Sequence, residues 1–146
     1  MAGSPLVGRW SLVSVEVIAD TGEIRYPYGQ TPVGYILYAA DGFMSVAVMS
    51  GDRRSFVANG FAGLDGTQQE KATAFDGYLS YSGRYEAGRD GVVHRIEVSL
   101  FPNWVGTAIE RAVTLDGDRL TLTGSATQVK GKSPTVRVTW KRAAGT

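Results

Sequence analysis

The sequence predicts an all-β protein: an antiparallel up-and-down β-barrel of eight or nine strands, with one short helix and a long loop inserted between strands. Three observations support this prediction. Runs of β-branched and aromatic residues alternate with short turns, the turns carry Asp-Gly or Thr-Gly pairs, and the 19 glycines suit a chain with many turns. Asp-Gly supplies the positive φ that tight hairpins need. We expect the meander to close, because closure leaves no exposed strand edge.

The strands follow one another with short connections. Asp-Gly pairs at 41–42, 90–91 and 116–117, and Thr-Gly at 21–22, separate successive runs, which is typical of an antiparallel meander. A chain of this length fits a single domain over residues 1–146. The predicted strands are 8–18, 24–28, 34–40, 43–49, 80–87, 92–101, 107–115, 119–124 and 135–142.

One segment has a helical rather than a strand pattern. Thr67 and Glu70 have the spacing of a capping box, and an apolar stripe follows at Ala72, Phe75 and Leu79. We expect a helix of about two to four turns, preceded by an irregular loop. Helix and loop together either form a lid over one end of the barrel or plug that end.

Alternation predicts which side chains face the barrel interior. In the run 92–101 the lone histidine, His94, shares its face with apolar residues, whereas Arg95 and Glu97 lie on the other face. The inward side chains predicted in this way are Val92, His94, Ile96, Val98, Leu100, Tyr81, Tyr85, Ile109, Arg111, Val113, Leu115, Leu120, Leu122, Val136, Val138 and Trp140.

Turn positions predict which inward residues meet. A turn centred near residues 103–104 places Ile96 opposite Arg111 and His94 opposite Val113, so that His94 and Arg111 are diagonal neighbours. A turn near residues 88–89 places Gly83 opposite His94 and leaves room beside the imidazole. The predicted cluster is Tyr81, Tyr85, His94 and Arg111.

The two polar members of this cluster have two readings. A buried arginine needs a carboxylate, for which Glu16 is one candidate, or several other acceptors, or, if the cluster faces a ligand, a bound anion. In that reading, ligand affinity changes across the histidine titration, near pH ~6.5 in the absence of an environmental shift. In the other reading both groups are structural, with Arg111 satisfied by phenols and backbone.

A hairpin supplies further candidates. Tyr35, Tyr38, Phe43, Met44 and Met49 either line a pocket or fill the core. If the protein is an enzyme, His94 and Arg111 are its predicted catalytic residues. The predicted ligand-binding residues are Tyr35, Tyr38, Met49, Tyr81, Tyr85, His94, Ile96, Arg111 and Trp140.

Composition excludes several classes of function. A formal net charge of +1 gives no field that would recruit nucleic acid or a membrane. Without cysteine and with one histidine, the chain has no disulfide, no thiolate nucleophile and no His-based metal site. We therefore expect no cofactor. With no signal-peptide pattern at the N-terminus, we expect a cytoplasmic protein. No pattern specifies an oligomeric state.

Several segments carry a family resemblance. LVGRWSLVS contains Gly8-Arg9-Trp10, which is similar to the Gly-x-Trp that opens the first lipocalin strand. Together with YPYGQTPVGYILYAADGFMSV, FDGYLSYSGRYE, VVHRIEVSLFPNWVGT and LDGDRLTLT it makes residues 6–142 resemble the bacterial and fungal lipocalin-like domain family. The resemblance implies a calycin-type barrel with an internal hydrophobic cavity. The missing cysteines and signal peptide depart from secreted lipocalins, and no catalytic residue carries over.

Three functional hypotheses follow. The first is binding of a small apolar or amphipathic, natural-product-like molecule in the barrel cavity. Some relatives sit with secondary metabolism, where related small barrels are isomerases or cyclases. The alternative is therefore a cofactor-independent isomerase or cyclase acting on a polyketide-like substrate, in which His94 or a tyrosine moves a proton and Arg111 holds the anion. The third is an interaction module, marked by an exposed apolar patch and no pocket.

Overall fold

Nine antiparallel strands and one α-helix make up the part of the chain that the structure, a computed structural model, describes, namely residues 4–126 and 134–143. The helix α1 is Gln68–Asp76, and single 3-10 turns occur at Phe61–Gly63 and Pro102–Trp104. The strands are β1 (Gly8–Ile18), β2 (Ile24–Arg25), β3 (Val33–Tyr38), β4 (Phe43–Met49), β5 (Tyr78–Ala87), β6 (Gly91–Ser99), β7 (Ala108–Asp116), β8 (Arg119–Ser125) and β9 (Thr135–Arg142).

The sheet closes into an eight-stranded barrel, which confirms the predicted fold class. Each strand from β3 to β9 pairs with the next, and β1 pairs with both β3 and β9. β2 is an extra strand that pairs with β1. It covers two residues rather than the predicted 24–28, since Pro27 has no N–H to donate and a turn follows in which Gly29 N–H donates to Tyr26 O.

The tryptophan of the N-terminal Gly-x-Trp is part of the hydrophobic core. The Trp10 indole is fully buried, and its Nε1–H donates to the carbonyl of Leu6 at 2.9 Å. The Arg142 guanidinium lies 4.1 Å from the centre of the Trp10 ring, within cation–π range. Gly8 has φ 131°, a conformation in which a side chain would be strained. The first strand is therefore held to the core and to β9 through Trp10.

The register between β5 and β6 differs from the predicted one by two residues. Tyr85 rather than Gly83 lies opposite His94, and Gly83 lies opposite Ile96. A Cβ at Gly83 would collide with the carbonyl oxygen of Arg95. The glycine therefore permits close approach of two backbones rather than leaving room for the imidazole. Because the difference is an even number, His94 keeps its predicted face.

The register between β6 and β7 also differs. The predicted pairing of Ile96 with Arg111 and of His94 with Val113 is wrong, and Ile109 lies opposite His94. The 3-10 turn after β6 shifts the centre of the connection to an earlier position in the chain. The difference is again even, so both residues keep the inner face. His94 and Arg111 are still diagonal neighbours, because Arg111 lies opposite Val92.

Two residues predicted to face inward are exposed. Ser82 pairs with Val98 while Gly83 pairs with Ile96, so a β-bulge at Glu97 interrupts the alternation. Val98 is consequently 61% exposed. Leu115 keeps its predicted face, since it lies opposite the buried Leu120, but it is 39% exposed because it is next to the hairpin turn at the end of β7; Val98 is therefore the one of these two whose face was wrong.

Helix α1 begins as predicted and stays on the surface. Thr67 Oγ1 accepts from the Glu70 N–H at 3.1 Å, and the Glu70 carboxylate accepts from the Thr67 N–H at 2.9 Å, completing the capping box. None of the helix residues is buried, so α1 does not plug the barrel, and its role as a lid stays a prediction. No helix in residues 4–126 and 134–143 has the length and apolar character needed to cross a bilayer.

Candidate functional site

His94 lies in the barrel interior between two tyrosines from other strands. The Tyr38 hydroxyl, from β3, is 2.6 Å from Nε2, and the Tyr81 hydroxyl, from β5, is 2.8 Å from Nδ1. Only 1% of His94 is exposed, and both ring nitrogens are engaged. The interior placement predicted from strand parity is therefore observed. We call Tyr38, His94 and Tyr81 the histidine–tyrosine cluster.

Burial makes this cluster neutral. Desolvation, followed by the nearby positive charge of Arg111, lowers the pKa of His94 to about 3. Burial also raises the pKa of Tyr81 to about 12, although Arg111 opposes that rise. His94 is therefore uncharged near neutral pH. A titration of the folded protein near the ordinary histidine value is not expected, which corrects the interpretation drawn from the sequence.

Tyr85 is part of the surrounding packing but not of the hydrogen-bonded cluster. Its hydroxyl donates to the carbonyl of Ala39 at 2.7 Å. Its ring packs against the Tyr38 ring in a T-shaped arrangement, with 4.7 Å between centroids. The sequence predicted Tyr85 beside His94 but did not predict Tyr38 there. The contact between Tyr38 and His94 crosses the barrel interior between two strands that do not pair, so no hairpin turn indicates it.

Arg111 occupies the inner face of β7, next to this cluster. Its Nη1 donates to the carbonyls of Glu110 at 3.1 Å and Ser125 at 3.4 Å. Glu16 is not its partner, since that carboxylate lies 2.7 Å from Arg137 Nε. Within the described part of the chain no carboxylate contacts Arg111. Burial lowers its pKa from the usual arginine value, and the neighbouring tyrosines act in the opposite direction.

A cavity of about 910 Å³ lies along β6, β7 and the end of β8, and Arg111 is part of its lining. The β7–β8 ladder ends at the pair Ala112–Thr123, so the two strands diverge beyond it. The inward-facing Ile109 and the exposed Ala108 both line this cavity. The lining therefore includes residues from both faces of β7, and we call this cavity the wall cavity.

Trp104 and Gly124 line the wall cavity but were not among the predicted ligand-binding residues. Trp104 packs edge-on against Tyr81, with ring centroids 5.6 Å apart, and so joins the cavity to the histidine–tyrosine cluster. A Cβ at Gly124 would lie 2.6 Å from Arg111 Nη1, so the glycine leaves space for the guanidinium. The FPNW turn in the sequence could have indicated Trp104 as a candidate, whereas nothing in the sequence indicated Gly124.

The predicted ligand-binding residues separate into three groups. Tyr35, 51% exposed beneath the Arg9 guanidinium, and Met49 lie on the outside of the barrel, so placing them inside was wrong. Strand parity puts their neighbours inside instead. Of the predicted set, Arg111 alone lines the wall cavity among the described residues. The remaining predicted residues are buried in the interior: Tyr38, Tyr81, Tyr85, His94, Ile96 and Trp140.

Two further observations limit the chemistry of the interior. The Trp140 Nε1–H is buried, and within the described residues it has no hydrogen-bond partner. The same part of the chain contains no group of three or more His, Cys, Asp or Glu side chains placed to hold a metal ion. Besides the histidine–tyrosine cluster, the polar side chains of these two regions include the Trp140 indole N–H in the interior and, in the cavity lining, Arg111, two carboxylates and three hydroxyls, namely Glu86, Glu110, Thr123, Ser125 and Thr135.

Comparison with known proteins adds two findings. A family model described as a lipocalin-like domain matches residues 7–143. The 4'-hydroxy-3'-methoxypropiophenone carrier protein ppsC of Aspergillus oryzae is 38% identical over 88 residues, covering 54% of this chain and 79% of that relative. The matched region therefore includes most of a protein that is called a carrier.

Proposed function

This chain belongs to the lipocalin-like domain family, and on that premise we propose that it binds a small amphipathic aromatic molecule in the wall cavity. One observation carries the proposal. Arg111 lines a cavity of about 910 Å³ and has only backbone carbonyls as hydrogen-bond acceptors among the described residues. A partly buried cation without a carboxylate partner is incompletely compensated, and a ligand with an acidic or carbonyl oxygen would compensate it.

Part of the lining suits an aromatic body, beside polar side chains that include Glu86, Glu110 and Thr123. The cavity volume lies within the ~300–1,000 Å³ range of small-molecule sites. Trp104 offers an aromatic wall, and Val92 and Ile109 supply apolar surface. A flat ligand would pack on these side chains while its polar end reaches Arg111.

The relative's name supports the same ligand class. The compound in that name is an aromatic ketone with a hydroxyl and a methoxy group. It combines an apolar ring with a carbonyl and an ionisable phenol, which are the two kinds of oxygen that a guanidinium binds well. We extend this chemistry to the present chain as a class and not as one compound.

The proposal is for binding without catalysis. An isomerase or cyclase needs an acid–base group in contact with the substrate. His94, the group expected for that role, does not line the wall cavity, and burial lowers its pKa to about 3, which makes it a weak base. The interaction-module hypothesis is also less favoured, because its mark was the absence of a pocket.

A calorimetric titration with 4'-hydroxy-3'-methoxypropiophenone tests the proposal. We expect saturable one-to-one binding by the wild type. Ala108→Trp should weaken it by at least about tenfold, since Ala108 lines the cavity and is exposed. Thr114→Trp is the matched control, because Thr114 is exposed on the same strand but lies outside the lining.

The outcomes separate cleanly. Binding that is lost in Ala108→Trp and kept in Thr114→Trp supports the wall cavity as the site. Binding that survives both substitutions places the ligand elsewhere. If neither this compound nor carbonyl-bearing analogues of similar size bind, the proposal is rejected.

A further inference from the structure

Arg111, a residue of the wall-cavity lining, uses a single guanidinium nitrogen for its hydrogen bonds. Its Nη1 donates to the carbonyl oxygens of Glu110 at 3.1 Å and of Ser125 at 3.4 Å. Because Nη1 carries two N–H groups, these two carbonyls account for both of them. Nε and Nη2, which carry the remaining N–H groups, have no acceptor in the part of the chain that the structure describes.

The two unused nitrogens form one edge of the guanidinium. The group is planar and rigid, so the Nε–H and one Nη2–H point in nearly the same direction, away from Nη1. Such an edge binds the two oxygens of a carboxylate through two parallel hydrogen bonds. A ketone supplies one oxygen, and it therefore engages the Nε–Nη2 edge only in part.

The backbone holds the guanidinium in place on its Nη1 side. Glu110 belongs to β7 and Ser125 to β8, and both lie beyond the last pair of the β7–β8 ladder. Nη1 therefore bridges the two strands where they diverge. A Cβ at Gly124 would lie 2.6 Å from Nη1 and 3.1 Å from Cδ of Arg111, so the glycine lets the guanidinium lie against β8. A donor edge that is already oriented loses less entropy when it binds.

The charges of the lining give the wall cavity a direction. Glu86 and Glu110 also line it, but both are exposed, and strand alternation puts them on the outer face beside the inward-facing Tyr85 and Arg111. The Glu86 carboxylate accepts from Arg95 Nε at 3.1 Å. The cation of the lining is therefore on its inner side and the carboxylates are on its outer side. An acidic ligand is expected to bind with its acid group inward.

We propose that the wall cavity prefers aromatic carboxylates, whose two oxygens accept hydrogen bonds from Nε and Nη2 of Arg111. The aromatic ring of such a ligand packs on the apolar part of the lining, which includes Trp104, Val92 and Ile109. Arg111 is the residue that determines this specificity. The inference rests on the proposed function and narrows it, because it selects the carboxylate among the oxygen groups that a guanidinium binds.

Titration calorimetry of the wild type at neutral pH tests the preference with two probes. One is the benzoate that carries the same hydroxyl and methoxy groups as the compound in the relative's name, and the other is its primary amide. The amide has nearly the same shape, but it is uncharged and has a donor in place of one acceptor. We expect the benzoate to bind at least about tenfold more tightly than the amide. Equal affinities, or tighter binding of the amide, would overturn the inference.

Arg111→Lys distinguishes the two-nitrogen edge from positive charge alone. Lysine keeps the charge but has no planar pair of donors, so the preference for the benzoate over the amide should fall by at least about fivefold. Arg84→Lys is the matched control at an exposed position paired with Glu97, and it should leave the preference unchanged. A preference that survives Arg111→Lys would overturn the assignment to Nε and Nη2. If that variant does not fold, the wild-type comparison of benzoate and amide still decides the inference.

Titration with 4'-hydroxy-3'-methoxypropiophenone separates failure of this inference from failure of the proposed function. If the ketone binds and the benzoate does not, the inference is overturned and the proposed function stands. If the benzoate binds and the ketone does not, the inference stands and the ligand class is restricted to acids. Binding of neither compound overturns both.

Discussion

The histidine–tyrosine cluster and the wall cavity lie side by side, yet the polar side chains of the first satisfy one another's hydrogen bonds and Arg111 in the second has no side-chain partner among the described residues. In the cluster, the side chains of β3, β5 and β6 satisfy both imidazole nitrogens of His94 in an enclosed space. In the wall cavity, Arg111 is left with backbone carbonyls where β7 and β8 diverge. Trp104 contacts Tyr81 on one side and lines the cavity on the other.

The contrast separates stability from binding. Where buried polar groups satisfy one another, removing one leaves the others unpaired and destabilises the fold. Where a charged group has incomplete partners, removing it should leave the free energy of unfolding unchanged and should weaken ligand binding. Substitutions in the two regions should therefore affect different measurements, and each prediction below tests that separation.

The largest effect is expected at the centre of the cluster. His94→Leu should lower the free energy of unfolding by about 3 kcal/mol, because two buried hydroxyls lose their partner. Urea denaturation followed by tryptophan fluorescence measures the change. Arg95→Gln is the control: this neighbour faces outward and pairs with the exposed Glu86 at 3.1 Å, and its replacement should have no measurable effect. Comparable losses in both variants would contradict the special role of the cluster.

Acid should destabilise the wild type through the same residue. The pKa of His94 is about 3 in the folded protein and near ~6.5 in the unfolded chain, so between these values the unfolded state binds the extra proton. Stability therefore falls as pH falls, by about 2 kcal/mol between pH ~6.5 and ~4.5. Urea midpoints across this range should converge for the wild type and His94→Leu. Parallel pH profiles would show that His94 charges freely in the folded state.

At the wall cavity the effect should appear in binding. Arg111→Met should weaken the phenolic ketone by about tenfold, while unfolding free energy stays level or rises because a buried charge is removed. Titration calorimetry and urea denaturation measure the two quantities. Arg84→Met makes the same charge change at an exposed position paired with Glu97, and it should alter neither. Loss of stability without loss of affinity would reverse the assignment of Arg111.

The smallest effect is expected at Gly124. A Cβ there would lie 2.6 Å from Arg111 Nη1 and 3.0 Å from the Glu110 carbonyl. The flexible guanidinium must move, so Gly124→Ala should weaken the ketone by roughly twofold to threefold. Gly88→Ala lines the same cavity, and its nearest neighbour to an added Cβ is 3.7 Å away. Equal affinities in the two variants would show that the position of Arg111 does not matter.

The strand order and the face of each inward residue were readable because strand alternation is a local property. The hydrophobic pattern placed His94 and Arg111 inside even though both registers around β6 were wrong. Each predicted register was shifted by an even number of residues, and such a shift does not change the face on which a side chain lies. The bulge at Glu97 is different, because one extra residue moves every side chain beyond it to the opposite face. The face predicted for Val98 was therefore wrong.

The sequence by itself determined the strand meander, the start of the capped helix and the inward histidine, since each depends on spacing within one strand, turn or helix end. Only the tertiary structure decided the partner of His94, because Tyr38 reaches it across the barrel interior from a strand that does not pair with β6. Tertiary structure also decided that β7 and β8 diverge and open a cavity beside Arg111. Closing a barrel brings distant residues together, and no local pattern encodes which of them will meet.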